Sequence, residues 1–575
     1  MVGRALAAWF VLAAALSGAS AQTPPTFAHE IAPIVYRFCA PCHHAGGTGP
    51  FPLLSYEDVK KRAKQIASVT LSRYMPPWLP EPGHGDFAGE LRLTAAQTRI
   101  IADWVSAGSP EGPADQVPAP PEFTDGWQLG QPDLVLEAAG SIKAPASGPD
   151  VFWNFLFTPN LTTPRYVRAV EIRPGNRRVV HHANLLIDRG SLVRRTAADA
   201  GGFPGMDLTI MRNPFDPDGH FLFWKPGALP HVEPDGFSWR LNPGDSLILN
   251  THLHPSGTAE EVKPALGIYF TDKPPAHFPL LVQLESDRAL RIPAGARDFL
   301  ISDDFRLPMD VDVLAVYPHA HYLGKLLEAF ATLPNGTRKW LIRIPNWDFN
   351  WQSVFYYQEP LSLPKGSVIS MRYHYDNSAA NVRNPHQPPR LVTSGDQSTD
   401  EMGHLWMEML PRGASDRRLE LQEAVMRHRL EKYPDDFLAN FNLGVLALAR
   451  LNVSGAVPML ETAVRLEPSR ADARDLLGTA LARVGRVPEA IGQFRRALAE
   501  RPGFTSARLN LANALLRTGQ FDEAIENYRQ ALKASPNDPT VRAAVEANAR
   551  QLEAEGKANE ASALYRELQA NPRQQ

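Results

Sequence analysis

The sequence predicts a multidomain chain in three parts: a small all-α unit, a long loop-rich β region and a C-terminal α-helical solenoid. Three observations carry this. Of 52 prolines, 44 precede residue 413 and only 8 follow it, and proline interrupts helices and central strands alike. Pro434, Pro468, Pro502 and Pro536 then recur at a step of 34 residues. Between the first two parts, Ser109–Pro121 (SPEGPADQVPAPP) has the composition of a stiff, extended linker. A length of 575 residues with 44% hydrophobic supplies a core for several domains and excludes wholesale disorder. A net charge of −3 leaves no electrostatic footprint for nucleic acid or an anionic membrane.

Residues 1–21 read as a secretory leader. Arg4 supplies the positive start, Ala5–Leu16 the apolar run and Ala19-Ser20-Ala21 the cleavage site. The run is shorter than the ~20 residues of a membrane span, although an uncleaved anchor is the competing reading. The mature chain is expected to start at Gln22, to be periplasmic or secreted, and to carry no later span. Two cysteines beside 17 histidines cannot build a disulfide framework, so the domains depend on packing.

The first unit, residues 22–108, holds both cysteines in Cys39-Ala40-Pro41-Cys42-His43. This C-x-x-C-H spacing is that of a covalently attached c-type haem, with His43 as an axial ligand. A redox dithiol lacks a thioredoxin-like context here, and a zinc site lacks further cysteines. His29–Phe38 suits a short helix leading into the motif. Thr94 and Gln97 form a capping box before an amphipathic helix with Ile100, Ile101 and Trp104, ended by Gly108. This unit resembles a small cytochrome c domain. That resemblance makes Met75, in the stiff loop Tyr74-Met75-Pro76-Pro77-Trp78, the sixth iron ligand, with His84 as the alternative; His44 is read as a neighbour.

After the linker at 109–124, runs such as Tyr166–Ile172, Ser246–His254 and Val311–Tyr317 are β-rich. Turn clusters (RPGN, NPGD, LPNG, LPKG) interrupt them at short intervals, as in a β-sandwich. Histidines gather in three segments: His181-His182 in VVHHANLLID, His252 and His254 in LILNTHLHPSG, and His319 and His321 in AVYPHAHYLGK. In each H-x-H pair both imidazoles leave one face of a strand and can converge on a metal. His181 and His182 would leave opposite faces of a regular strand. They share a metal only where a bulge or strand end turns one of them.

Together with Ser398-Thr399-Asp400-Glu401-Met402, these segments resemble the copper type II, ascorbate-dependent monooxygenases, the family of peptidylglycine α-hydroxylating monooxygenase and dopamine β-hydroxylase. The likeness runs from about Asp150 to Pro411. It implies two jelly-roll sandwiches, at 125–273 and 274–412, with one copper on each. By motif, His181, His182 and His252 would hold the first copper, and His319, His321 and Met402 the second, catalytic one; His254 is a reserve. It further implies hydroxylation of a substrate C–H bond with O2 and an ascorbate-like or protein reductant. Independently of the resemblance, a thioether ligand favours copper, above all Cu(I), over zinc. Tyr317, His404 and Trp406 stand where the peptide-amidating member grips a carboxylate. A peptide terminus is therefore expected to meet no cation, and an apolar or aromatic pocket is expected instead, unless Tyr317 and Trp406 are simply core.

Residues 413–575 repeat. Gly444, Gly478 and Ala512 keep the 34-residue step, as do Ala456, Ala490 and Ala524. Small residues where paired helices touch and a proline after the second helix resemble tetratricopeptide repeats, with Gly556–Pro572 slightly out of step as a degenerate cap. Such an array implies a protein partner. The expected whole is a secreted copper- and haem-dependent monooxygenase of a small substrate. A non-catalytic electron-transfer or scaffold protein is the alternative, and a zinc hydrolase a third reading.

Overall fold

The computed structural model describes residues 23–123, 126–189, 202–205, 219–535 and 538–571. The leader at 1–21, Pro536 and Pro572 lie outside the described residues. None of the described helices is long and apolar enough to cross a membrane. The chain divides into two units: the described residues up to Trp78 with Glu90–Asp125, and Leu79–Gly89 with everything from Gly126 onward.

The smaller unit is helical. A short π-turn at Phe27–Ile31 runs into a helix at Ala32–Phe38, which delivers the chain to Cys39. The capping box predicted at Thr94 is present, with Gln97 N–H bonded to the Thr94 hydroxyl, and it opens the helix Ala95–Ser106. Such a cap contributes about 1 kcal/mol. Phe27, Ile31, Val35, Ile101 and Trp104 share one buried cluster, so the first and last helices pack together. The proline-rich segment, read from composition as a stiff linker, is tied at its start to the helical unit. Pro110 O accepts from Phe27 N–H at 2.9 Å and from Trp104 Nε1–H at 2.9 Å, and Glu111 O accepts from Ala28 N–H at 2.9 Å. The first N–H groups of a helix have no partner within it, and the start of the linker supplies acceptors for two of them.

In the larger unit, strands up to Thr271 form a four- and a five-stranded antiparallel sheet, and strands from Leu280 form two four-stranded ones. In the first pair, one sheet runs Leu134–Glu137, Ala265–Thr271, Arg165–Arg173, Trp239–Leu241. The other runs Gly202–Pro204, Val151–Phe157, Ser246–Leu253, Val180–Asp188, Phe223–Trp224. Val167, Leu266 and Ile268 from one sheet join Phe155, Leu185 and Leu249 from the other in a single core. The second pair runs Leu280–Glu285, His404–Pro411, Val311–His319, Phe355–Leu363 and Phe299–Arg306, Val368–Tyr375, Gly324–Thr332, Arg338–Ile344. The turns predicted at NPGD and LPKG hold Gly244 and Gly366 at φ of 89° and 84°, where a side chain would be strained.

The segment Leu79–Gly89, assigned from sequence to the first unit, packs on the second sandwich. Glu81 pairs with Arg343, and Phe87 stacks on Tyr357 at 5.1 Å. His84 therefore lies against Trp340, ring centroids 4.6 Å apart.

The C-terminal helices keep the predicted period, the first of each pair beginning at Phe437, Ala471, Thr505 and Pro539. Ala456, Ala490 and Ala524 are fully buried. A Cβ on Gly444 or Gly478 would sit 2.6 Å from Leu460 or 2.5 Å from Phe494, so helices meet at the small positions. The last helix starts late because Pro539–Ala554 is 16 residues long.

The preceding helix, Arg418–Lys432, docks on the second sandwich. His428 Nε2 lies 2.7 Å from Asp303 Oδ1, Lys432 Nζ 2.5 Å from Asp303 Oδ2, and Arg429 3.0 Å from Glu285. Burial works against the Asp303 carboxylate, but the His428 hydrogen bond and the Lys432 charge outweigh it and hold its pKa below the ordinary carboxylate value. A depressed pKa contributes stability above the unfolded value, about 3.9, which is lost as pH falls through the folded one. Acid below about pH 4 is therefore expected to loosen this helix, and Asp303→Asn to flatten that dependence. Equal acid sensitivity of both proteins in a pH series of denaturant midpoints would rule this out.

Candidate functional site

The β region places its histidines by register and by one irregularity. His252 stands opposite His182 on the neighbouring strand, while Leu253 stands opposite Val180, so the register slips between Val180 and His182. His181 is the extra residue of that β-bulge. The bulge turns two adjacent side chains toward one point, which a regular strand could not do. His181, His182 and His252 each offer a ring nitrogen within 4.8 Å of the others. His181 Nδ1 lies 3.1 Å from His182 Nδ1.

His252 is 1% exposed. Its Nε2 faces Asp150 Oδ2 at 3.1 Å, while Nδ1 has no hydrogen-bond partner among the described residues. Buried polar atoms are almost always satisfied, and a metal ion is one partner that would satisfy Nδ1. His254 stacks on His181 at 4.4 Å, its Nε2 3.6 Å from Asp150 Oδ1. Asp150, His252 and His254 form a second group meeting the same 4.8 Å limit, sharing His252 with the first. Asp150 went unnoticed in the sequence because no spacing ties it to the histidines.

His319 ends the strand Val311–His319, and His321 follows in the next turn, ring centroids 5.2 Å apart. Met402 is buried just ahead of the strand His404–Pro411. The Glu401 carboxylate joins the two segments, accepting from His321 N–H at 2.8 Å, Leu323 N–H at 2.6 Å and Met402 N–H at 3.2 Å. Burial pushes its carboxyl up to about 8. His321 Nδ1 faces Asp400 O at 3.1 Å, leaving Nε2 for a ligand.

Gln352 stands between the two histidine groups. Its Oε1 accepts from the Tyr317 hydroxyl at 2.6 Å and from His319 Nδ1–H at 2.7 Å, which turns His319 Nε2 outward. Its amide nitrogen lies 3.4 Å from His182 Nδ1. Burial, then neighbouring imidazoles, lower His181 and His182 well below the ordinary histidine value, and burial lowers His321 to about 3 and His254 to about 4. Neutral rings are the form in which histidine binds metal.

A cavity of about 350 Å³ opens on both groups, lined among others by His182, Tyr317, His319, Met402, Trp406 and Met426. Trp406 and Tyr317 thus border a pocket. The expectation of a cation-free pocket needs correction: Arg429 and Lys432 also line it. They arrive on the Arg418–Lys432 helix, which sequence reading had placed in the repeat array, and acidic neighbours already pair them. His404 is tied to Asp287 at 2.6 Å.

In the smaller unit, Cys39 and Cys42 are free and partly buried. Burial, then Cys42, push the Cys39 thiol up to about 12, the reverse of a reactive C-x-x-C thiolate. His43 Nδ1–H donates to Phe51 O at 3.0 Å, leaving Nε2 available. A Cβ on Gly49 would sit 2.6 Å from that Nδ1, so this glycine clears space for the ring. His44 stacks on Phe123. Met75 lies in the loop after Ala63–Leu71, its N–H bonded to Val69 O at 3.1 Å.

Residues 441–505, 476–539 and 509–574 match the tetratricopeptide repeat family, so the C-terminal helices are such an array. A comparison with curated proteins finds no match to this chain. Among solved structures, MamA is 21% identical over 27% of this chain and 88% of its own, with a TM-score of 0.24. YrrB, described as a TPR protein with an unusual peptide-binding site, is 20% identical over 26% and 75%, with a TM-score of 0.23.

Proposed function

We propose that the chain is a copper-dependent monooxygenase that hydroxylates a C–H bond of a small molecule with O2, drawing electrons through a fused c-type haem. One observation carries this reading: the bulge at His181 and the strand register bring ring nitrogens of His181, His182 and His252 within 4.8 Å of one another. His181, His182 and His252 would hold one copper; His319, His321 and Met402 would hold the other. The Met402 thioether makes that second set soft and favours Cu(I) over zinc. Bound copper supplies one-electron chemistry and activates O2.

The chain's own residues do the rest. Gln352 and Tyr317 fix the proton of His319 on Nδ1, so that Nε2 is the ligand atom. Glu401 keeps His321 and Met402 at one spacing. Trp406, Met426 and neighbouring apolar groups exclude water around a small substrate. Cys39 and Cys42 would attach the haem, with His43 and Met75 as its axial ligands. Fusion in one chain raises the effective concentration of electron donor near acceptor. Hydroxylation of one C–H consumes O2, two electrons and two protons and releases water. A haem held by Cys39, Cys42, His43 and Met75 would carry one electron at a time.

The repeat match favours a second reading, in which the array recruits a protein partner and the metal groups only carry electrons. Copper loading followed by oxygen uptake with ascorbate and a panel of small apolar molecules separates the two. Two bound coppers with substrate-dependent uptake and a mass gain of one oxygen are expected. Tight copper binding without oxygen use under any reductant would leave the scaffold reading.

A further inference from the structure

We propose that His220, Glu233 and Glu408 form a third metal site, for a divalent ion of the zinc class, that pins the two sandwiches together. It lies outside both histidine groups described above, and its three donor atoms lie within 4.8 Å of one another. His220 Nδ1 is 3.0 Å from Glu233 Oε1 and 3.8 Å from Glu408 Oε1. Ligands held at about 2.1 Å around a tetrahedral ion stand roughly 3.4 Å apart, between those two distances.

The three side chains are 9%, 8% and 4% exposed, so two carboxylates are buried at one point. A single imidazole, that of His220, faces both. It bonds Glu233 and meets Glu408 at 3.8 Å. Burial, then the neighbouring Glu233, push the Glu408 carboxyl well above its ordinary value, so without an ion it holds a proton. A divalent ion neutralises both carboxylates and uses the imidazole in its neutral form.

The donors come from different parts of the fold. Glu233 is set by its N–H bond to Arg168 O at 2.8 Å and by the bridge between Val232 and Ala169, both on the first sandwich. Glu408 lies on the strand His404–Pro411 of the second. His231, with Nε2 3.7 Å from Glu233 Oε2, is an outer partner that orients the carboxylate. His220 also lines the cavity, which gives an ion a route in. Two oxygens and one nitrogen, without sulfur, suit zinc and disfavour Cu(I). An ion here would set the spacing of the sandwiches, and with it that of His182 and His319.

Co2+ is the probe. Equilibrium dialysis and visible absorption of the full chain are expected to show one equivalent fewer in Glu408→Gln and in Glu233→Gln than in the unaltered protein. A chelator is expected to lower the urea midpoint of the unaltered protein and to leave Glu408→Gln unmoved. Circular dichroism checks that each variant is folded; should Glu408→Gln misfold, Glu233→Gln decides alone. Unchanged Co2+ stoichiometry in a folded variant, or equal chelator sensitivity, would overturn the site and identify the cluster as a proton-sharing ion network. Neither readout depends on copper or on turnover.

Discussion

Met402→Ile is expected to abolish oxygen consumption, by roughly 100-fold or more, the upper end of what losing even an outer partner of a metal ligand costs. Isoleucine keeps the volume and apolar character of a side chain that is 7% exposed. Swaps of this kind cost under about 1.5 kcal/mol in a core, so the fold should survive. What disappears is the sulfur, the only soft donor of the second proposed set and the reason that set would prefer Cu(I). Copper at His181, His182 and His252 should persist, because those ligands lie on the other sandwich, and the haem absorbance should not change. Copper counting, oxygen electrode traces and a visible spectrum of the same sample give the answer. Unaltered turnover would remove Met402 from the site.

Glu401→Ala should strongly destabilise the second sandwich. The carboxylate accepts three backbone N–H groups, from His321, Leu323 and Met402, and is itself 0% exposed. Alanine leaves all three donors buried, each at a cost of about 1–3 kcal/mol. A loss of at least about 3 kcal/mol is expected in urea unfolding, a large part of a typical domain's total. Glu401→Gln retains an acceptor oxygen and should lose less. The two variants unfolding at the same midpoint would show that the clamp is not what holds Met402 beside His321.

Part of this was legible along the chain because it depends on near neighbours. The 34-residue step survives as helix pairs because each repeat packs mainly on the next one, and the small residues at Gly444 and Gly478 are where those pairs touch. The box at Thr94 and Gln97 is complete within four residues, so its prediction needed no tertiary information. Glu401, Gln352, Asp150 and the cluster of His220, Glu233 and Glu408 had no such signal. Their partners are set by sheet register and by loops from different sandwiches; Ser398 N–H, for example, reaches Asp150 across 248 residues of chain at 3.0 Å. The Arg418–Lys432 helix was read as part of the array. Its basic residues instead find Asp303 and Glu285, which composition could not reveal.

The sequence by itself determined the repeat array, the β character of the middle region, the C-x-x-C-H segment and the histidine pairs, since each is written in short-range spacing. Only the tertiary structure decided whether those histidines meet. A spacing of one or two residues states which face a side chain can take, whereas convergence needs a bulge at His181, a register that sets His252 opposite His182, and a carboxylate holding His321 to Met402. Those are contacts between distant strands, and the free energy that fixes them is the burial of two sandwich cores rather than any local preference.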